Sequence, residues 1–194
     1  MNVWKWIGAT ICALVVAVFA VLIGARFVSQ SRIETKWEVR PFAEPVLPTA
    51  TEDLAEGRRL YFARGCAECH GEDGGGRVIL DDPLVGVLRG TNLTRGAGGL
   101  PRAYSDADLV RIVRHCVKPD GSPVIFMPCE ETRLIPDREL VAILAHIRRM
   151  PPVDRVGEPV ELGLVGHALH AFGMLPLIKT GLVDFDAPPR PAPP

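Results

Sequence analysis

Five residues constrain this chain more than any others: Cys66-Ala67-Glu68-Cys69-His70. Thiols separated by two residues lie one helical turn apart, so each can add to one of the two vinyl groups on neighbouring pyrroles of a c-type haem. The adjacent histidine is then held beneath the iron and can supply an imidazole nitrogen as its proximal ligand. Three other uses of the same residues compete. A zinc ribbon needs a second Cys or His pair at matching spacing, and the remaining candidates, Cys116 and Cys129, have twelve residues between them. A dithiol redox pair belongs beside a strand–helix–strand pattern, which the flanking sequence lacks. A disulfide between Cys66 and Cys69 leaves His70 without a role.

A haem has a second axial side. Met127, in Ile125-Phe126-Met127-Pro128, lies 57 residues beyond His70. Its thioether is a soft ligand, and His/Met ligation raises the reduction potential. The other candidates are Met150, Met174, His115, His146, His167 and His170. His115 and His146 fall on helical stretches where a packing histidine is the usual case, Met150 closes the last helix of the domain, and the others lie in the tail. Cys116 and Cys129 bracket the Met127 segment. Haem attachment puts the domain on the oxidising side of a membrane, where disulfides persist. A bond between them closes a loop of about 14 residues and contributes ~3 kcal/mol in the chain-entropy model; the alternative is two small buried thiols.

The apolar content, 47% of 194 residues, is unevenly spread. Trp6 to Ala25 is 20 residues without a charge, 17 of them apolar. As a helix it spans ~30 Å, the thickness of a bilayer core. Trp4, Lys5 and Trp6 at its start and Arg26 at its end are placed as interface anchors. A cleaved signal peptide or a buried helix are the alternatives; the apolar part of a signal peptide is usually ~7–15 residues. Cys12 within the run reads as a small apolar side chain. Aromatic residues are only 6%, while Gly and Pro number 19 and 18. That composition argues against a large self-sufficient core and leaves room for a cofactor at its centre. A net charge of −1 gives no field for gripping nucleic acid.

The chain therefore divides into an N-terminal transmembrane anchor (1–28), a Pro-containing tether (29–51), a haem domain (52–153) and a Pro-rich C-terminal extension (154–194). Three helices are expected in the domain. The first covers Glu52 to Arg64. The second opens at Ser105-Asp106-Ala107-Asp108, a capping-box variant. The third begins near Pro136-Asp137, with Leu140, Ile143, Leu144 and Ile147 at i, i+3, i+4, i+7, and stops at Pro151-Pro152. No strand pattern with clean alternation appears between them. The extension ends Ala-Pro-Pro-Arg-Pro-Ala-Pro-Pro and reads as disordered or polyproline-like, with a short helix possible over Leu162 to Phe172.

On the haem motif, Gly90-Thr91-Asn92-Leu93-Thr94, Tyr104-Ser105-Asp106-Ala107-Asp108-Leu109, Val117-Lys118-Pro119-Asp120-Gly121 and Met127-Pro128, the sequence resembles the class I c-type cytochromes over about Leu54 to Val153. It is similar to membrane-tethered single-haem members and to the cytochrome subunits of quinoprotein dehydrogenases, although the latter usually carry several haem motifs and this chain has one. The resemblance implies an all-α domain of three to four helices wrapped around one covalent haem c. Cys66, Cys69, His70 and Met127 would bind it, with His70 and Met127 on the iron. It also implies that Gly57 and Tyr61 cross the third helix near Leu144 and Ile147, and that Asn92-Leu93-Thr94 lies near the haem edge. The expected function is single-electron transfer, not catalysis, between respiratory or photosynthetic redox partners. The expected place is the bacterial inner membrane, with a single pass and the haem domain in the periplasm. The alternatives are a haem-containing structural subunit of a larger membrane complex, or a gas-binding sensor in which Met127 is displaceable.

Overall fold

The computed structural model describes residues 3–38, 41–157 and 160–188. Helix α1, Val3–Glu34, contains the apolar run and continues beyond Ala25. None of its apolar window is covered by the rest of the protein, and its buried residues are Ala25 and Ser29. The helix thus reaches into what the sequence reads as the start of the tether, because residues 26–34 contain no Gly or Pro to break it. The following stretch is extended, as its prolines dictate, but it is docked. Phe42 and Leu47 pack on the main core, and the Glu44 carboxylate accepts from the Asp106 and Ala107 amides at 2.9 and 3.2 Å.

The core is made by α2 (Thr51–Ala63), the short α3 (Cys66–His70), α4 (Asp106–His115), the single turn α5 (Cys129–Thr132) and α6 (Asp137–Arg149). Ser105 caps α4: its Oγ accepts from Asp108 N at 3.1 Å, while the Asp108 carboxylate accepts from Ser105 N at 3.0 Å. Helices α2 and α6 cross where Gly57 meets Ala142; a Cβ on Gly57 would lie 2.1 Å from the Ala142 carbonyl oxygen. The crossing is therefore at Ala142 and His146, whereas Leu144 and Ile147 turn toward an interior cavity. Tyr61 is fully buried and donates to the Gly71 carbonyl at 2.7 Å, tying α2 to the end of α3.

The domain is mostly helical, but the strand-free expectation is corrected. Strands β1 (Val78–Asp82) and β2 (Gly86–Arg89) form an antiparallel hairpin, and β3 (Glu161–Leu162) adds to β2. Its turn is closed by Asp82, whose Oδ1 accepts from Leu84 N and Val85 N at 2.8 Å. The pattern was silent because Leu88 alone in the hairpin is buried, so no face alternates.

The extension is likewise more ordered than its proline content implies. Helix α7, Leu164–Ala171, lies within the anticipated stretch and packs on α1. Ser29 Oγ is 2.8 Å from His167 Nδ1, and Arg32 donates to the carbonyls of His170 and Ala171 at 3.0 Å. Beyond it, Leu177 is fully buried and a 3-10 turn covers Thr180–Leu182. The terminal Pro-rich residues 189–194 lie outside the described residues.

Candidate functional site

The motif residues sit on α3. Gly65 enters it at φ 74° and Gly71 leaves it at φ 81°, left-handed conformations that let five residues form one isolated turn. Cys66 and Cys69 are not joined to each other in a disulfide. Burial pushes the Cys66 thiol up to about 11. Burial, then the nearby Glu68 carboxylate, also raises Cys69. A dithiol redox pair works through a thiolate of depressed pKa, so these shifts run against that use. Among the described residues no group of three or more His, Cys, Asp or Glu side chains gathers as a candidate metal cluster.

His70 Nδ1 lies 2.8 Å from the Thr91 carbonyl oxygen. Burial holds the imidazole below its usual pKa, partly opposed by that hydrogen bond. A neutral ring donating from Nδ1 keeps the Nε2 lone pair free for a metal. Thr91 follows Gly90, where the β2 end passes α3 so closely that a Cβ would lie 1.9 Å from the Cys69 carbonyl oxygen.

Beside α3 lies a largely apolar cavity of about 300 Å³, within the range of small-molecule sites. Leu109 and Ile112 of α4 and Leu140, Ile143 and Leu144 of α6 form much of its wall. Cys66, His70 and Met127 all line it. A smaller adjoining pocket of about 100 Å³ is lined by both cysteines, His70 and Met127. The donor set fits a haem: two thiols, an imidazole and a thioether on one apolar space. The other sulfur and imidazole candidates are elsewhere. Met150 packs on the main core with its sulfur beside Gly74, Met174 is exposed, and the His115 ring lies near those of Phe42 and Phe185. His146 packs on Tyr61, while His167 and His170 are buried on α7.

Cys116 and Cys129 are joined, with 5.8 Å between their Cα atoms, and Met127 packs against the pair. Of the stretch Asn92-Leu93-Thr94, Leu93 lines the cavity. Asn92 and Thr94 are braces instead: Asn92 Nδ2 donates to the Val153 carbonyl at 2.8 Å, and Val153 N donates to Thr94 Oγ1 at 2.9 Å. Sequence reasoning missed the role of Thr91, which offers only a carbonyl. It also missed Tyr104 and Lys118, polar side chains that line the same cavity; both lie in segments that carry the family resemblance.

Residues 52–147 match the family described as cytochrome C oxidase, cbb3-type, subunit III. This part of the chain is a cytochrome c domain. A diheme cytochrome c-type protein of Cereibacter sphaeroides is 28% identical over 144 residues, covering 65% of this chain and 46% of that relative. The chain thus spans less than half the length of that cytochrome. C-type cytochromes are an electron-carrier family, and the family implies a covalently bound haem c.

Proposed function

We propose that the protein is a membrane-anchored single-haem cytochrome that passes electrons one at a time between redox partners on the periplasmic side of a bacterial inner membrane. In this reading Cys66 and Cys69 would hold one haem through thioether bonds, and the His70 imidazole and the Met127 thioether would bind its iron. The observation that carries it is the meeting of Cys66, His70 and Met127 on one apolar cavity. One motif of the Cys-x-x-Cys-His type supports one haem in this chain.

The haem supplies a one-electron iron couple when bound. Thr91 orients the His70 ring by accepting from Nδ1. Met127 supplies a thioether favouring reduced iron. With both His70 and Met127 on the iron no position would be open to a substrate, which favours electron transfer over catalysis. The Leu and Ile walls of α4 and α6 would give the haem a largely apolar setting, and such a shell limits solvent access and tunes the potential.

Retention of α1 as an anchor is supported by the bilayer-length apolar run Trp6 to Ala25 and by the unbroken continuation of the helix to Glu34. A second reading, a haem subunit fixed in a larger membrane complex, is favoured by the subunit III description of the matching family. A free shuttle and a dehydrogenase-linked subunit are the other forms the carrier can take.

Three measurements on membranes and purified protein test the proposal. The intact mass should rise by one haem. A redox titration should follow a single one-electron wave. Carbonate washing should leave the protein in the membrane. Two haems per chain, or release by carbonate, would contradict it. Co-migration with a large complex on a native gel would favour the subunit over the shuttle.

A further inference from the structure

The C-terminal extension lies outside the family match and has no assigned role, yet it runs directly along the outside of the Met127 loop. The disulfide closes that loop at its ends. The first half is held from within, by Lys118 N–H donating to the Ser122 carbonyl at 2.9 Å and by a Val117–Pro123 bridge. The half next to Met127 is held by the extension. Phe126 N–H donates to the Leu177 carbonyl at 2.7 Å, and Ile125 forms an antiparallel bridge with Ile178. The Lys179 ammonium pairs with Glu130. Thr180 Oγ1 donates to the Cys116 carbonyl at 3.1 Å, and Val183 packs on the disulfide beside Met127.

Phe126 has φ 66°, a left-handed conformation disfavoured for a bulky residue. It immediately precedes Met127, so its relaxation to an ordinary backbone angle would turn the Met127 side chain away from its present direction. The bond to Leu177 fixes the Phe126 amide in the observed orientation.

We propose that residues 177–183 form a strap that positions Met127 on the haem iron, with Lys179 and Thr180 as positioning residues. The proposal rests on the axial role of Met127 given above. With the strap in place, the sixth coordination position is closed to outside ligands. With it loosened, Met127 spends more time off the iron, and the same domain becomes a ligand-binding haem protein. The strap also joins the haem site to the membrane segment, since α7 of the same extension is bonded to Ser29 and Arg32 of α1.

The test uses the full-length, haem-loaded protein and the variants Lys179→Ala, Thr180→Val and their combination. Carbon monoxide binding to the ferrous form is followed with the reduction potential, and circular dichroism checks that each variant is folded. An open population increased about tenfold should speed carbon monoxide binding by about tenfold in the double variant and lower its potential. Lys179→Ala alone removes one partly exposed ammonium and should move both readouts in the same direction. Lys179→Arg should restore the native behaviour. A folded Lys179→Ala or double variant with wild-type carbon monoxide kinetics and potential would overturn the strap while leaving Met127 ligation intact. Rapid carbon monoxide binding by the wild type itself would overturn the axial reading and the strap with it.

Discussion

Nδ1 of His70 stands 2.8 Å from the carbonyl oxygen of Thr91, 21 residues further along the chain. That contact sets which imidazole nitrogen remains free, and the approach of Gly90 to Cys69 holds Thr91 where it can be made. Gly90→Ala puts a methyl group 1.9 Å from the Cys69 carbonyl oxygen, a backbone atom that cannot swing aside. The substitution should destabilise the domain by about 2–3 kcal/mol. Urea unfolding of the haem-loaded protein checks it, and wild-type stability would contradict the close packing.

Arg114 links α4 to the start of α6. Its buried guanidinium donates to the Arg133 and Ile135 carbonyls and to the Asp137 carboxylate, the last at 2.7 Å. Arg114→Met leaves the two carbonyls without that donor and should cost about 3 kcal/mol of stability. Lys should recover only part, because an ammonium cannot reproduce the planar fork. Denaturant melts of the three proteins give the order Arg, Lys, Met if the bonds matter as described.

Replacing both Cys116 and Cys129 by Ser opens a loop with a sequence separation of 13 residues. The chain-entropy contribution lost is ~3 kcal/mol. Thiol titration of denatured, unreduced protein should find neither sulfur free. Two titrating thiols would remove the bond from the account.

His115 makes the stability of the domain depend on pH. Burial lowers its pKa first, reinforced by Arg114, Arg133 and Arg111 and opposed by Asp186. The unfolded chain then binds a proton more readily than the folded one. Stability should therefore be highest above the unfolded value of about 6.5 and fall as pH drops through the window below it. Burial lowers His70, His146 and His167 as well, so His115→Phe should reduce that dependence between about pH 6.5 and pH 5 without abolishing it. An unchanged slope in thermal melts across this range would contradict the assignment.

Much of the candidate site was legible because its signals are local. Cys66, Cys69 and His70 announce themselves by spacing, and Leu140, Ile143, Leu144 and Ile147 by helical period. Ser105 and Asp108 predict their own cap. The parts that were not legible depend on distant partners. The 78–89 hairpin buries only Leu88, so it carries no alternating pattern. Thr91 acts through a carbonyl that every residue possesses. The extension was obscured by its prolines, although Leu177 and Val183 are apolar residues with a buried place to go. Glu44 looks like linker chemistry until α4 presents its amides to it.

The pairing of His70 and Met127 on one iron is tested most directly by optical and EPR spectra of the wild type and Met127→Ala, oxidised and reduced, with added carbon monoxide. The account predicts a low-spin wild type in both states that does not bind carbon monoxide. It predicts a Met127→Ala protein that binds carbon monoxide readily when reduced and has a lower potential. A high-spin ferrous wild type that binds carbon monoxide at once, or a variant spectrally identical to the wild type, would contradict it.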